Sequence, residues 1–189
     1  MTDVAPVRTV HLETARYILR SVVAGDASES WGRWSRDPTT AHWLNTQARD
    51  ATREELLQFI SSFDDRSRFL VGVFEKNGGR LIGIHAIYVD WGRREYMINV
   101  MIGELDARNQ GARSEARIAV HQHFMETFDL THSICTVMEG HPQLAQMVRW
   151  GWVVEGKTQR PSVCTGEQIV LLRMRLTREA WRRALNTKA

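Results

Sequence analysis

The chain has 189 residues, 43% of them apolar and 25% charged, with a formal net charge of +3. These proportions exclude a disordered chain, and no apolar run approaches the roughly 20 residues a membrane span needs. The small basic excess suits an anionic ligand and is too small to argue for nucleic acid as a partner. The opening Met1–Pro6 lacks the basic end and apolar stretch of a signal peptide. Two cysteines, Cys135 and Cys164, are too few for a disulfide framework and lack metal-ligand spacing. A reducing cytoplasm, no membrane and no metal are therefore expected. No repeat or Pro/Gly/Ser linker interrupts the chain, so residues 1–189 read as one domain.

Thr14–Val23, rich in β-branched and aromatic residues, reads as a first strand broken by Gly25-Asp26. A polar stretch with Trp31, Trp34 and Trp43 follows, and Asp37-Pro38 marks a turn into a short helix over 39–44. Thr52 and Glu55 form a capping box before Leu56, Phe59, Ile60 and Phe63, whose spacing predicts a helix over 53–63. Runs 69–74 and 81–89 flank Lys76-Asn77-Gly78-Gly79, a strong hairpin signal. A strand over 96–104 leads through an irregular turn to a helix over 114–128. A strand over 134–138, a helix over 142–150 closed by Gly151, and strands over 152–155 and 169–176 come next, and Thr177 caps a last helix. The strand–helix–strand unit in the middle demands parallel pairing there. A mixed α/β sheet with helices on both faces is the expected architecture.

The turn Arg108-Asn109-Gln110-Gly111-Ala112-Arg113 lies between a strand and a helix start. Glycine there lets backbone approach a ligand, the free N–H groups of the first turn point one way, and the helix dipole favours negative charge. This is an anion site suited to a pyrophosphate, with Arg108 and Arg113 adding charge at its rim. It is neither a Walker loop nor a dinucleotide fingerprint, because no Gly-Lys-Ser/Thr follows and the three spaced glycines are missing.

Four stretches in order carry a resemblance. Leu12–Arg20 with Gly25-Asp26-Ala27, Leu81-Ile-Gly-Ile-His85, Arg108-x-x-Gly111 followed by Ser114-Glu115-Ala116, and Gly151-Trp-Val-Val-Glu-Gly156 are similar to the GCN5-related N-acetyltransferases (GNAT), in particular the branch acting on ribosomal-protein N-termini. The resemblance covers nearly the whole chain. It implies a GNAT-like mixed, mostly antiparallel sheet with a central parallel pair of splayed strands, here 96–104 and 134–138. It further implies that acetyl-CoA binds, with CoA as product. The pantetheine arm would pair with Met101, Ile102 and Gly103, and the pyrophosphate would rest on Asn109, Gln110, Gly111, Ala112, Arg113 and Ser114.

The sequence departs from the family's pattern at several chemical positions. Arg113 replaces the usual Gly or Ala of the loop, Gly140 an Asn, Met147 the Tyr that protonates the leaving thiolate, and Cys135 a carboxylate on the fifth strand. A thioether cannot donate a proton. Glu95, Glu104 and Glu139, near the ends of the two central strands, are the candidate bases, each also readable as a solvated strand-end charge. His141 is a weaker acid–base candidate, His85 reads as a core or cleft histidine, and His121 and His123 face different ways on their helix and so form no metal pair. Trp31, Trp34 and Trp43 fit either an acceptor wall or the core. The expected activity is N-acyl transfer to a primary amine, on a small molecule or a peptide N-terminus. The alternative is a degenerate relative that binds CoA or a partner without catalysis. The sequence does not name the amine or the acyl length, and it leaves room for a homodimer.

Overall fold

A computed structural model describes residues 6–187; Met1–Ala5, part of the opening read above for a leader, lie outside the described residues. Alternating apolar side chains on the central strands decide the architecture. On β3 (Arg68–Glu75), β4 (Leu81–Asp90) and β5 (Glu95–Ile102), Phe69, Val71, Ile82, Ile87, Tyr96 and Ile98 point to one face, and Leu70, Phe74, Ile84 and Ala86 to the other. A sheet apolar on both faces must be covered on both. The first face packs against α4 (Ala112–Gln122) through Ala116, Val120 and the following Phe124, and against Trp181 of α6 (Arg178–Asn186). The second packs against Trp31 of α1 (Glu29–Gly32), Trp34, and Leu56 and Ile60 of α3 (Arg53–Ser61).

Eight strands form the sheet in the order β1-β2-β3-β4-β5-β6-β8-β7, where β1 is His11–Glu13, β2 Tyr17–Ser21, β6 His132–Met138, β7 Val153–Pro161 and β8 Gln168–Thr177. Every pair is antiparallel except β5 and β6, joined through α4. The mixed, mostly antiparallel sheet with one central parallel pair is the architecture expected from sequence. Among the described residues no helix is long and apolar enough to cross a membrane.

Local signals hold in detail. Thr52 Oγ1 accepts from Glu55 N at 3.2 Å while the Glu55 carboxylate accepts from Thr52 N at 2.8 Å. Asp37 caps α2 (Pro38–Leu44), Thr177 caps α6, and Gly151 leaves α5 (Leu144–Arg149) at φ +88°.

Several boundaries differ from expectation: β5 stops at Ile102 rather than 104 and β6 begins at His132 rather than 134, and three further differences have a visible cause. The run 14–23 is not one strand: Thr14 and Tyr17 exchange hydrogen bonds that close a tight turn between β1 and β2, and side-chain β-propensity does not report such a turn. The helix over 114–128 begins earlier, at Ala112, and ends in a wider π-type winding over His123–Thr127. The strand over 152–155 continues to Pro161. Nearly all of β7 is exposed because it is the sheet's edge, so it needs no apolar alternation, and Lys157 and Arg160 place charge along it.

Candidate active site

β5 and β6 pair over only three positions, Glu95 with His132, Tyr96 with Ser133 and Met97 with Ile134. β5 then runs on to Ile102 and β6 to Met138 without pairing to each other. β6 stays paired with β8 along its length, so the two strands diverge as a V that opens toward the C-terminal end of β5. Along that opening the β5 backbone edge has no strand partner. Unpaired backbone groups of this kind need hydrogen bonds from elsewhere.

The turn after β5 stands at the mouth of the V. Gly111, at φ +81°, precedes the first residue of α4, and no side chain caps the helix. A Cβ at Gly111 would meet only Arg16 Nη2, at 3.2 Å. The N–H groups of Ala112, Arg113 and Ser114 have no acceptor among the described residues, so the helix start presents three donors to an incoming anion. Asn109, at φ +61°, sets the loop's curvature, and the Gln110 side chain returns to the Asp106 carbonyl. Ser114 Oγ accepts from Gln146 Nε2 of α5 at 3.4 Å.

Two arginines hold this turn in shape. Arg16, in the β1–β2 turn, donates from Nη1 to the Gln110 carbonyl at 2.8 Å and from Nε to the Glu115 carboxylate at 2.8 Å. Arg108 does not stand at the rim as expected. It turns inward and donates to the carbonyls of Ile102 and Gly103, to Asp37 at 2.8 Å and to Thr40 Oγ1 at 2.8 Å, because the strand end and the α2 cap offer acceptors there. Asp37, bonded by Thr40 and Arg108, is held down at about 2. Sequence reasoning passed over Arg16, whose partner Glu115 lies 99 residues away. Of the arm residues, Ile102 is buried in the core and Met101 packs on the second face. Gly103 lies against the Trp34 indole so closely that a Cβ would sit 1.8 Å from Trp34 Cδ2.

The candidate carboxylates are not gathered at the vertex. Glu95 is the first paired residue, at the closed end of the V. Glu104 accepts from Trp34 Nε1 at 2.9 Å and from the Ser30 hydroxyl, with Arg80 Nη1 3.8 Å away. Glu139 is paired with Lys157 Nζ at 2.7 Å on the surface. Trp31 and Trp34 are core residues, whereas half-buried Trp43 meets the His141 ring edge-on at 4.9 Å. The β7–β8 connection reaches the same helix, with Val163 N donating to Asn45 Oδ1 at 2.7 Å. Met147 is buried in the main core, and Gly140 stands at φ +83° with open space around it.

On the α4 side of the V the interior is basic. Cys135, the residue after the last β5–β6 pair, is buried, and burial pushes its thiol up to about 12. Arg117 is 7% exposed, and burial lowers it to about 10. His85, fully buried and opposite Val100 of β5, is pushed down to about 3 by burial and by Arg113 and Arg117. His121 is also fully buried, with Nδ1 against the Tyr96 hydroxyl. Among the described residues no group of three His, Cys, Asp or Glu could hold a metal ion.

The acetyltransferase (GNAT) domain profile matches residues 16–150, and the chain belongs to this family. Solved structures of similar fold include a spermidine N-acetyltransferase from Vibrio cholerae in complex with CoA and spermine (TM-score 0.76, 14% identity, covering 89% of this chain and 99% of that one). Also similar are a ribosomal-protein-S5-alanine acetyltransferase from Vibrio fischeri (TM-score 0.72, 15% identity, 91% and 98% covered) and a GNAT-family acetyltransferase from Bacillus anthracis (TM-score 0.74, 17% identity, 90% and 99% covered). No curated protein matched the chain.

Proposed function

We propose that this chain transfers an acetyl group from acetyl-CoA to a primary amine by direct attack in a ternary complex, with CoA as product. The observation that carries this reading is the three-position pairing of β5 and β6 in front of a helix start with three free N–H groups. An unpaired strand edge fits an amide-bearing pantetheine arm, and the Gly111 turn fits a diphosphate. Acetyl-CoA supplies an activated acyl group and a thiolate leaving group. Ala112, Arg113 and Ser114 bind through their N–H groups, the β5 edge at Met101–Gly103 orients the arm, and an N–H of that edge nearer the vertex stabilises the developing oxyanion. A reducing cytoplasm is the setting we propose, where buried Cys135 and exposed Cys164 remain thiols.

The acceptor is a low-pKa amine, an α-amino group or a small-metabolite amine. Glu104 and Glu139 are engaged by other side chains and Glu95 lies at the closed end, which favours an acceptor that needs little help to lose its proton. An α-amino group is partly neutral at pH 7, whereas a lysine-like amine loses about 4.6 kcal/mol to deprotonation there. Two of these solved structures are of acetyltransferases named for spermidine and for a ribosomal-protein alanine, and both acceptors offer primary amines. The test is competition between an α-amine peptide and its N-blocked, lysine-containing counterpart, with thiol release followed from pH 6 to 9. The α-amine peptide should turn over faster throughout. Faster turnover of the blocked peptide would overturn the acceptor assignment and make Glu95 and Glu104 the first residues to mutate.

A further inference from the structure

Arg117 has no ion pair and no hydrogen-bond partner among the described residues, and its Nη2 is fully buried without one. Its one aromatic neighbour, Trp150, lies 6.0 Å from the guanidinium carbon. Arg113, one turn earlier, likewise has no carboxylate partner among the described residues. His85 faces the same pair, is 0% exposed, and leaves both ring nitrogens unbonded. Burying a cation without a counter-charge or a full set of acceptors is costly, and such groups are ordinarily paired.

The place of the pair in the V says what would pair it. α4 runs back along β5, from Gly111 at the mouth to His121 against Tyr96 at the closed end. Arg117 lies one turn, about 6 Å, before His121, and it acts on the Cys135 thiol, one residue beyond the last β5–β6 pair. It therefore sits at the vertex, deeper than the helix-start N–H groups that suit a diphosphate. A group reaching Arg117 must be slender, anionic and carried at the acyl end of the donor.

We propose that Arg117, supported by Arg113 and His85, is a carboxylate subsite, and that the preferred acyl donor is a CoA thioester of a short dicarboxylic acid, such as succinyl-CoA. A carboxylate takes two parallel hydrogen bonds from a guanidinium, which supplies both the missing acceptors and the missing charge. The proposal rests on the CoA reading above, keeps acetyl-CoA as a donor, and ranks a short dicarboxylic acyl group ahead of acetyl.

Calorimetric titration of the full chain with CoA, acetyl-CoA and succinyl-CoA tests it without relying on turnover. Succinyl-CoA should bind at least about tenfold tighter than acetyl-CoA, as a charge-assisted hydrogen-bonded pair provides. That ratio should collapse in Arg117→Met and survive in part in Arg117→Lys. Equal affinities for the two thioesters in the native protein overturn the subsite, and so does an Arg117→Met variant that weakens both while keeping their ratio, which would place the arginine on the diphosphate. Should Arg117→Met fail to fold, the native comparison and Arg113→Ala, expected to narrow the ratio, still decide. No binding of any of the three would overturn the CoA reading, and the subsite with it.

Discussion

Lowering the pH should destabilise this fold in a way that traces to His85. Burial beside Arg113 and Arg117 takes its imidazole from the ordinary 6.5 to about 3. As the pH falls below 6.5 the unfolded chain takes up a proton at this histidine, and the folded chain does not until about 3. Acid therefore favours the unfolded state, and stability is lost through that window. Between pH 7 and pH 5 the loss amounts to about 2 kcal/mol for this one group, a large share of an ordinary domain's stability. His121, held well below its ordinary value by burial and by Arg117 and His85, pulls in the same direction. The measurement is denaturant unfolding at pH 7, 6 and 5, on the native chain and on His85→Leu. The leucine variant should lose about 2 kcal/mol less than the native chain between the end points, whatever its absolute stability. Equal losses in the two proteins would show that His85 is protonated in the fold, and the reasoning about its burial would fail.

Gly111→Val forces a β-branched residue to φ +81°, where the only neighbour of its Cβ is the flexible end of Arg16. It should cost about 1–2 kcal/mol of stability, leave a folded chain, and abolish the thermal stabilisation that CoA gives the native protein; a retained CoA shift would refute the cradle. Met147→Leu conserves volume in the core and should change turnover by less than about tenfold, or roughly 1.4 kcal/mol of barrier, and a hundredfold loss in steady-state rate would refute the placement of this helix away from the chemistry. Asp37→Ala removes both the α2 cap and the Arg108 partner, and should cost about 1–2 kcal/mol at neutral pH. Because Asp37 is held down at about 2, its contribution is present above the ordinary carboxylate range and disappears as the pH falls from about 4 to 2. Unfolding curves of native and variant should converge there, and a gap that persists at pH 2 would refute the charge-based account.

Local signals in the sequence led to local structure wherever the physics was local. Asn77-Gly78, the Thr52–Glu55 box and the glycine ahead of α4 each act over a few residues, and each is where the spacing put it. The inward turn of Arg108 was not legible, because its acceptors come from the Asp37 cap 71 residues away and from a strand end. Arg16 was hidden for the same reason. A usable signal did exist for Arg117. Positions 113, 117, 120 and 124 share one helical face, and Val120 and Phe124 on that face are core residues, so the two arginines ahead of them had to point inward too.

That shared face separates the arginines around the helix start by what they do. Arg16 and Arg108 are neutralised by Glu115 and Asp37, and their hydrogen bonds are spent on holding the turn. Among the described residues Arg113 and Arg117 have no such partners, and they share the helical face of Val120 and Phe124, which packs against the sheet. Pairing the two outer cations of this turn and leaving the two inner ones without a carboxylate places positive charge in the interior behind the helix start. Desolvation makes that charge act strongly at short range, because water no longer screens it. The same arrangement makes the ligand-free chain less stable and an anion bound beside these arginines more favourable. Arg117→Met should therefore raise the melting temperature of the ligand-free chain while weakening the cleft's hold on a carboxylate.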